Sequence, residues 1–189
     1  MKAKIIEKEP SHIVFSLKCT PRFANTIRRY SMARVPTLAI DKVMIYENRT
    51  AFFDEYIANR IGQIPITMPN ENIKAEEVGF YLDAVGPATV YSDDLASNNE
   101  KVKVAIEKIP LVKLAEGQSL RLEGYVKLGI GREHSKFQTA IASYKLEDDG
   151  SYTIRVETIG QVDAKTVLQR ALKHIIADLK ELNKSLKGF

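Results

Sequence analysis

"FANTIRRYSMARVPTLAI", Phe23 to Ile40, decides how this chain is read, because it joins a helix to a strand across a proline. Phe23, Ile27, Tyr30 and Ser31 recur at helical spacing and share one face. Just upstream, Thr20-Pro21 offers a capping hydroxyl and a proline suited to the first helical position. Pro36 cannot continue a helix and biases the residue before it away from helical backbone, so the helix runs over 21–34 and stops near Arg34. Leu38 to Tyr46 then reads as a strand. On the helical wheel Arg28 flanks the apolar stripe while Arg29 lies roughly opposite it, so the two arginines have different jobs.

Working outward, KII (4–6) and HIVFSL (12–17) read as short strands around a turn at Glu9-Pro10-Ser11. Asn48-Arg49-Thr50 is expected to cap a second helix, AFFDEYIANRIG, with Phe53, Tyr56, Ile57 and Ile61 as its apolar face and Gly62 as its stop. From Ile64 to Leu128 the texture is β: VGFYLDAV, ATVYS, KVKVAI, PLVKL and SLRLEGYVKL. In the last of these Leu120, Leu122, Val126 and Leu128 alternate with Arg121, Glu123, Tyr125 and Lys127. The loop LGIGREHSKFQ precedes a hairpin in which AIASYKL and SYTIRVETI flank Glu147-Asp148-Asp149-Gly150.

The longest helix closes the chain, from Asp163 to about Lys187. Asp163 sits at its positive end, and Lys184 and Lys187 at its negative end. Leu168, Leu172, Ile175, Leu179, Leu182 and Leu186 follow a 4-3-4-3-4 spacing, a coiled-coil-like seam behind which lie Lys173, Asp178, Lys180 and Glu181. Such side chains represent on the order of 10 kcal/mol of gross burial, so something must cover them. The fold class is α+β, and the lack of linker-like tracts means that a second domain is inserted within the first.

Composition narrows the function classes. Hydrophobic residues are 44% and charged residues 28% of the chain, an ordinary globular mixture. The net charge of +4 is scattered among 24 acids, which permits a nucleic-acid partner without demanding one. No apolar run approaches the roughly 18 residues of a membrane span, and MKAKIIEKEP lacks the pattern of a signal peptide. Cys19 is the single cysteine, and His12, His134 and His174 are scattered, so no metal constellation emerges; a cytoplasmic location is the default.

Gly129-Ile130-Gly131-Arg132-Glu133-His134-Ser135-Lys136 is not a phosphate-binding P-loop, because GxxxxGK[ST] is absent and no helix follows directly. A triad of Ser135, His134 and Glu133 fails on geometry, since neighbours in sequence seldom present side chains to one another in relay. The better reading is an ordered loop that grips a partner through Arg132, His134 and Lys136, with the glycines allowing close approach. Asp93-Asp94 reads as a turn or cap rather than a metal pair. A free-standing nucleic-acid binder using Arg28, Arg29 and the loop stays open as the rival. Against it, the long basic and aromatic run of such proteins is missing.

Five stretches together resemble one family: "FANTIRRYSMARVPTLAIDKVMIYEN", "FFDEYIANRIGQIPI", "GPATVYSDDL", "IPLVKLAEGQSLRLEGYVKLGIGREHSKFQ" and "VETIGQVDAKTVLQRALKHI". They are similar to the alpha-like subunit of multisubunit DNA-directed RNA polymerase, of the archaeal D type, related to bacterial alpha and its eukaryotic counterparts. The resemblance implies a discontinuous dimerisation domain, 1–46 plus 141–189, made of helices on an antiparallel sheet, with a β-rich domain inserted over 47–140. It implies a non-catalytic scaffold that pairs with a smaller subunit L and then gathers the large catalytic subunits, with small polymerase subunits as further neighbours. DNA would be met only through the complex, and no membrane is involved. Phe23 and Ile27, with the seam from Leu168 to Leu186, would meet subunit L. Arg28, Arg29, Gly129, Gly131, Arg132, His134 and Lys136 would face the large subunit, Arg29 more directly than Arg28. Many relatives carry a cysteine-bearing insert that holds an iron–sulfur cluster, but Gln138 to Ser151 is too short for it. Neither such a cluster nor zinc is expected here.

Overall fold

A computed structural model describes residues 3–70 and 72–186 of the chain. In order, the elements are β1 (Ala3–Lys8), β2 (His12–Leu17), α1 (Pro21–Ala33), β3 (Pro36–Asn48), α2 (Asp54–Gly62), β4 (Gly79–Val85), β5 (Ala88–Tyr91), β6 (Ala96–Ser97), β7 (Pro110–Leu114), β8 (Ser119–Ile130), β9 (Ala140–Leu146), β10 (Tyr152–Thr158) and α3 (Ala164–Leu186). The class is α+β. Contacts divide the chain into two units. The first holds the residues up to Pro36, Ile130–His134 and those from Gln138 onward; the second holds Thr37–Gly129 and Ser135–Phe137. The limits read from sequence, 46/47 and 140/141, fall within β3 and at the start of β9.

The first unit is an antiparallel sheet in the order β1-β2-β10-β9 with α1 and α3 packed on it. Register places Ile13, Phe15 and Leu17 of β2 opposite Val156, Ile154 and Tyr152 of β10, so one face is continuously apolar and buried. The hairpin from β9 to β10 closes where the sequence signals it, with Gly150 at φ 75°. α1 starts as expected: Thr20 Oγ1 accepts from the Phe23 amide at 3.3 Å, and Pro21 fills the first turn. Its buried stripe is Ala24, Ile27 and Ser31, and the Ser31 hydroxyl donates to the Ile27 carbonyl at 2.9 Å. Asp163 caps α3, accepting from the Thr166 amide at 2.9 Å. Lys187 lies outside the described residues.

The second unit contains a sheet in the order β3-β8-β4-β6 and a β5-β7 ladder. Its core gathers Ile40, Ile57, Ile61, Phe80, Leu82 and Leu122 among others. Three features depart from the sequence reading. α2 begins at Asp54 rather than Ala51, because the Asn48 amide donates to the Phe52 carbonyl and the Asp54 carboxylate, at 2.9 and 2.7 Å, and holds the approach as a loop. Phe53 and Tyr56 are therefore 82% and 46% exposed, leaving Ile57 and Ile61 as the inward face. KVKVAI forms only the isolated bridge Ile66–Val104, since its neighbouring segment contains Pro65 and Pro69, which cannot donate to a ladder. Alternation along β8 ends at Val126: Leu128 is 43% exposed, and Gly129 takes the buried position beneath the Phe137 ring.

In the first unit, α1 is tied to α3 by one shared acceptor. Asp178 accepts from Tyr30 Oη at 2.8 Å and from the Arg34 guanidinium at 2.7 Å. The Arg34 bond first, and then the Tyr30 bond, hold the Asp178 carboxyl below the usual carboxylate range. Its contribution is complete above the unfolded value of about 3.9 and is lost as pH falls through the lowered folded value. Because both partners are about one-third exposed, Asp178→Asn is expected to cost only about 1 kcal/mol at neutral pH. In urea titrations the gap to wild type should close on acidification. A gap that persists unchanged far below the carboxylate range would contradict the tie.

Candidate protein interface

α3 carries two apolar rows, and the chain buries the smaller one. Ala164, Val167, Ala171 and Ile175 face the sheet and α1, all essentially inaccessible, whereas Ile176, Leu179, Leu182 and Leu186 are 53–62% exposed. Leu168 and Leu172 are half-buried and form one wall of a groove of about 300 Å³. Opposite them lie Ile5 of the edge strand β1 and Phe23 of α1, with Phe15 and Ile27 at the floor; every lining residue is apolar. Two residues expected on this face turn inward instead: Ile27 is 2% exposed and Ile175 is 7%. Ile5 does not stand out in the sequence, although its i, i+2 spacing from Ala3 places both on the face shared with Phe15 and Leu17.

A second surface of the same unit is basic. A cleft of about 480 Å³ is lined by Thr26, Arg29, Tyr30, Ala33, Arg34 and Arg132. The helical residues follow an i, i+3/i+4 pattern, and that spacing is the sequence signal that joins Tyr30 and Arg34 to the cleft. Arg29 is exposed at its rim. Arg28 does not join it: its guanidinium donates to Asn25 Oδ1 at 3.1 and 3.0 Å and reaches Met32 Sδ at 3.6 Å, lying along α1. The different positions of the two arginines follow from the helical wheel.

The glycine loop is built for internal fit. A Cβ at Gly131 would stand 2.4 Å from the Met32 carbonyl oxygen, and the next amide, of Arg132, donates to the Ala33 carbonyl at 3.0 Å. One otherwise unpaired carbonyl at the end of α1 is thereby satisfied. In the second unit a Cβ at Gly129 would meet the Phe137 ring at 2.7 Å. Lys136, expected to reach outward, pairs with Asp41 at 2.6 Å and lies 5.2 Å over the Phe137 ring, with its side chain only 13% exposed. His134 and Arg132 stay on the exposed crest. Of the residues expected to meet a large partner, Arg29 and Arg132 share the cleft, while Arg28, Gly129, Gly131 and Lys136 have structural contacts of their own.

The family model described as the RNA polymerase Rpb3/RpoA insert domain matches residues 45–153. A Methanocaldococcus jannaschii protein named DNA-directed RNA polymerase subunit Rpo3 is 43% identical over 85% of this chain and 82% of its own length. Proteins of the same name from Thermococcus kodakarensis and Pyrococcus furiosus are 45% and 42% identical, over 75% and 77% of this chain. The chain spans only 58% and 59% of those two relatives.

If close approach to Met32 is what position 131 requires, Gly131→Ala should cost about 1–3 kcal/mol in urea denaturation. Unchanged stability would show that the loop can move off α1.

Proposed function

The chain belongs to the Rpo3 family of DNA-directed RNA polymerase subunits, the archaeal D type, and from that premise we propose that it is a non-catalytic assembly subunit of such a polymerase. The nucleotidyl-transfer chemistry and the DNA contact belong to other chains of the complex. The unit built from the two ends of the chain, broadly 1–46 with 141–189, would serve for dimerisation, and the inserted β-rich unit, broadly 47–140, would hold further subunits. The first partner would be the small alpha-like subunit L, followed by the large beta-type subunit and small polymerase subunits. Transcription in the cytoplasm, without a membrane, iron–sulfur cluster or zinc in this chain, completes the reading.

The observation that carries it is the outward leucine row of α3 beside the apolar groove. A single domain has little reason to leave Leu179, Leu182 and Leu186 in water while burying alanines on the same helix, unless a second chain buries the leucines. Phe23, Leu168 and Leu172 extend that surface toward β1. Arg29, on the other surface, remains available for the large subunit once the leucine row is covered.

Co-expression with the small alpha-like subunit and the large subunit tests both faces. Leu179→Glu with Leu182→Glu should weaken recovery of the small subunit by at least about a hundredfold, since two buried leucines are lost. Arg29→Ala should leave that heterodimer intact and reduce recovery of the large subunit. Wild-type recovery of the small subunit by the leucine variant would refute the docking face. Wild-type recovery of the large subunit by Arg29→Ala would refute the second assignment.

A further inference from the structure

We propose that the cleft between α1 and the loop Ile130–His134 is a carboxylate receptor, in which Arg29 and Arg132 together clasp an acidic side chain presented by the large polymerase subunit. Gly131 is the positioning residue that holds Arg132 across from Arg29. The proposal rests on the assignment of Arg29 to the large-subunit face and names the chemistry met there.

The charges of the cleft do not balance internally. Arg29, Arg34 and Arg132 line it, and no acidic residue does. Arg34 is already committed to Asp178, and that carboxylate also accepts from Tyr30. Among the described residues, neither Arg29 nor Arg132 has a side-chain hydrogen bond or ion pair. Two like charges held around one concavity repel, and an anion between them removes that cost.

The backbone that carries Arg132 is fixed against α1. The backbone of residue 131 lies against the last turn of α1 so closely that any side chain would collide with Met32. The amide of Arg132 is bonded to Ala33 at 3.0 Å. The loop therefore cannot swing Arg132 away without breaking that contact. Each guanidinium fork matches the two oxygens of a carboxylate.

A polypeptide is a better occupant than a nucleic acid. Tracking a strand needs a line of phosphate contacts and open aromatic faces. Here the cleft offers two uncommitted guanidiniums, and its one ring, Tyr30, is bonded to Asp178 through its hydroxyl and lies beneath Arg34, 5.7 Å from centroid to guanidinium. About 480 Å³ accommodates an aspartate or glutamate with its flanking residues.

The test uses the co-assembled complex. Arg132→Ala should reduce recovery of the large subunit about tenfold or more, the loss expected for a charge-assisted hydrogen bond, with Arg132→Lys falling between. Treating the R132K complex with a zero-length carbodiimide, which couples an amine to a carboxylate, should link position 132 to an aspartate or glutamate of the large subunit, mapped by mass spectrometry. Gly131→Ala should lower recovery alone but add nothing in an Arg132→Ala background; a merely structural glycine would lower it in both. If Arg29→Ala weakens recovery while Arg132→Ala does not, the carboxylate clasp is overturned and the assignment of Arg29 stands. If neither does, both fall. Absence of the cross-link in a fully assembled R132K complex, or a loss confined to salt-dependent nucleic-acid binding, also overturns the proposal.

Discussion

The structure turns on how α3 divides its apolar surface. A helix can bury one stripe against its own sheet, and this one buries Ala164, Val167 and Ala171, side chains small enough to bring it close to α1 and β10. The larger side chains are left on the flank and toward the C-terminal half. Close seating on the inside and a greasy ridge on the outside are thus two consequences of one residue pattern. The same seating brings Asp178 within reach of Tyr30 and Arg34, which pins α1 to α3 where the buried row ends.

α1 mediates between two surfaces of different character. Its N-terminal half contributes Phe23 and Ile27 to the apolar groove, while its C-terminal half, with the capping Arg34, contributes Arg29 to the basic cleft. Because Gly131 packs on the end of the same helix, the loop that supplies Arg132 is registered to α1. A desolvated apolar contact would supply affinity, whereas a pair of guanidiniums would supply discrimination more than energy. The two surfaces therefore suit partners of different chemistry, one apolar and one acidic.

Much of this was legible in the sequence where signals are local. Thr20-Pro21 and Pro36 bound α1, Gly150 marks the hairpin, and the heptad leucines mark α3 as having an apolar seam. The unlike positions of Arg28 and Arg29 follow from helical geometry alone. The rest depends on distant neighbours. A heptad reading attends to leucines and passes over the alanines that are in fact inside. KVKVAI has strand-like alternation but faces a segment with prolines. Lys136 looked like a loop cation, and its Asp41 partner is 95 residues away. The glycines at 129 and 131 read as freedom to approach a partner, yet both are required by contacts within the chain.

The central claim is that the outward row of α3 is covered by another polypeptide, and amide hydrogen exchange over Ile176–Leu186 tests it most directly. In the isolated chain this half of the helix should exchange fast, because its apolar side chains are more than half exposed. In the complex with the small alpha-like subunit the same amides should become strongly protected, while Ala164–Ile175 changes little. Equal protection in the isolated chain, or equally fast exchange within the assembled complex, would contradict the account.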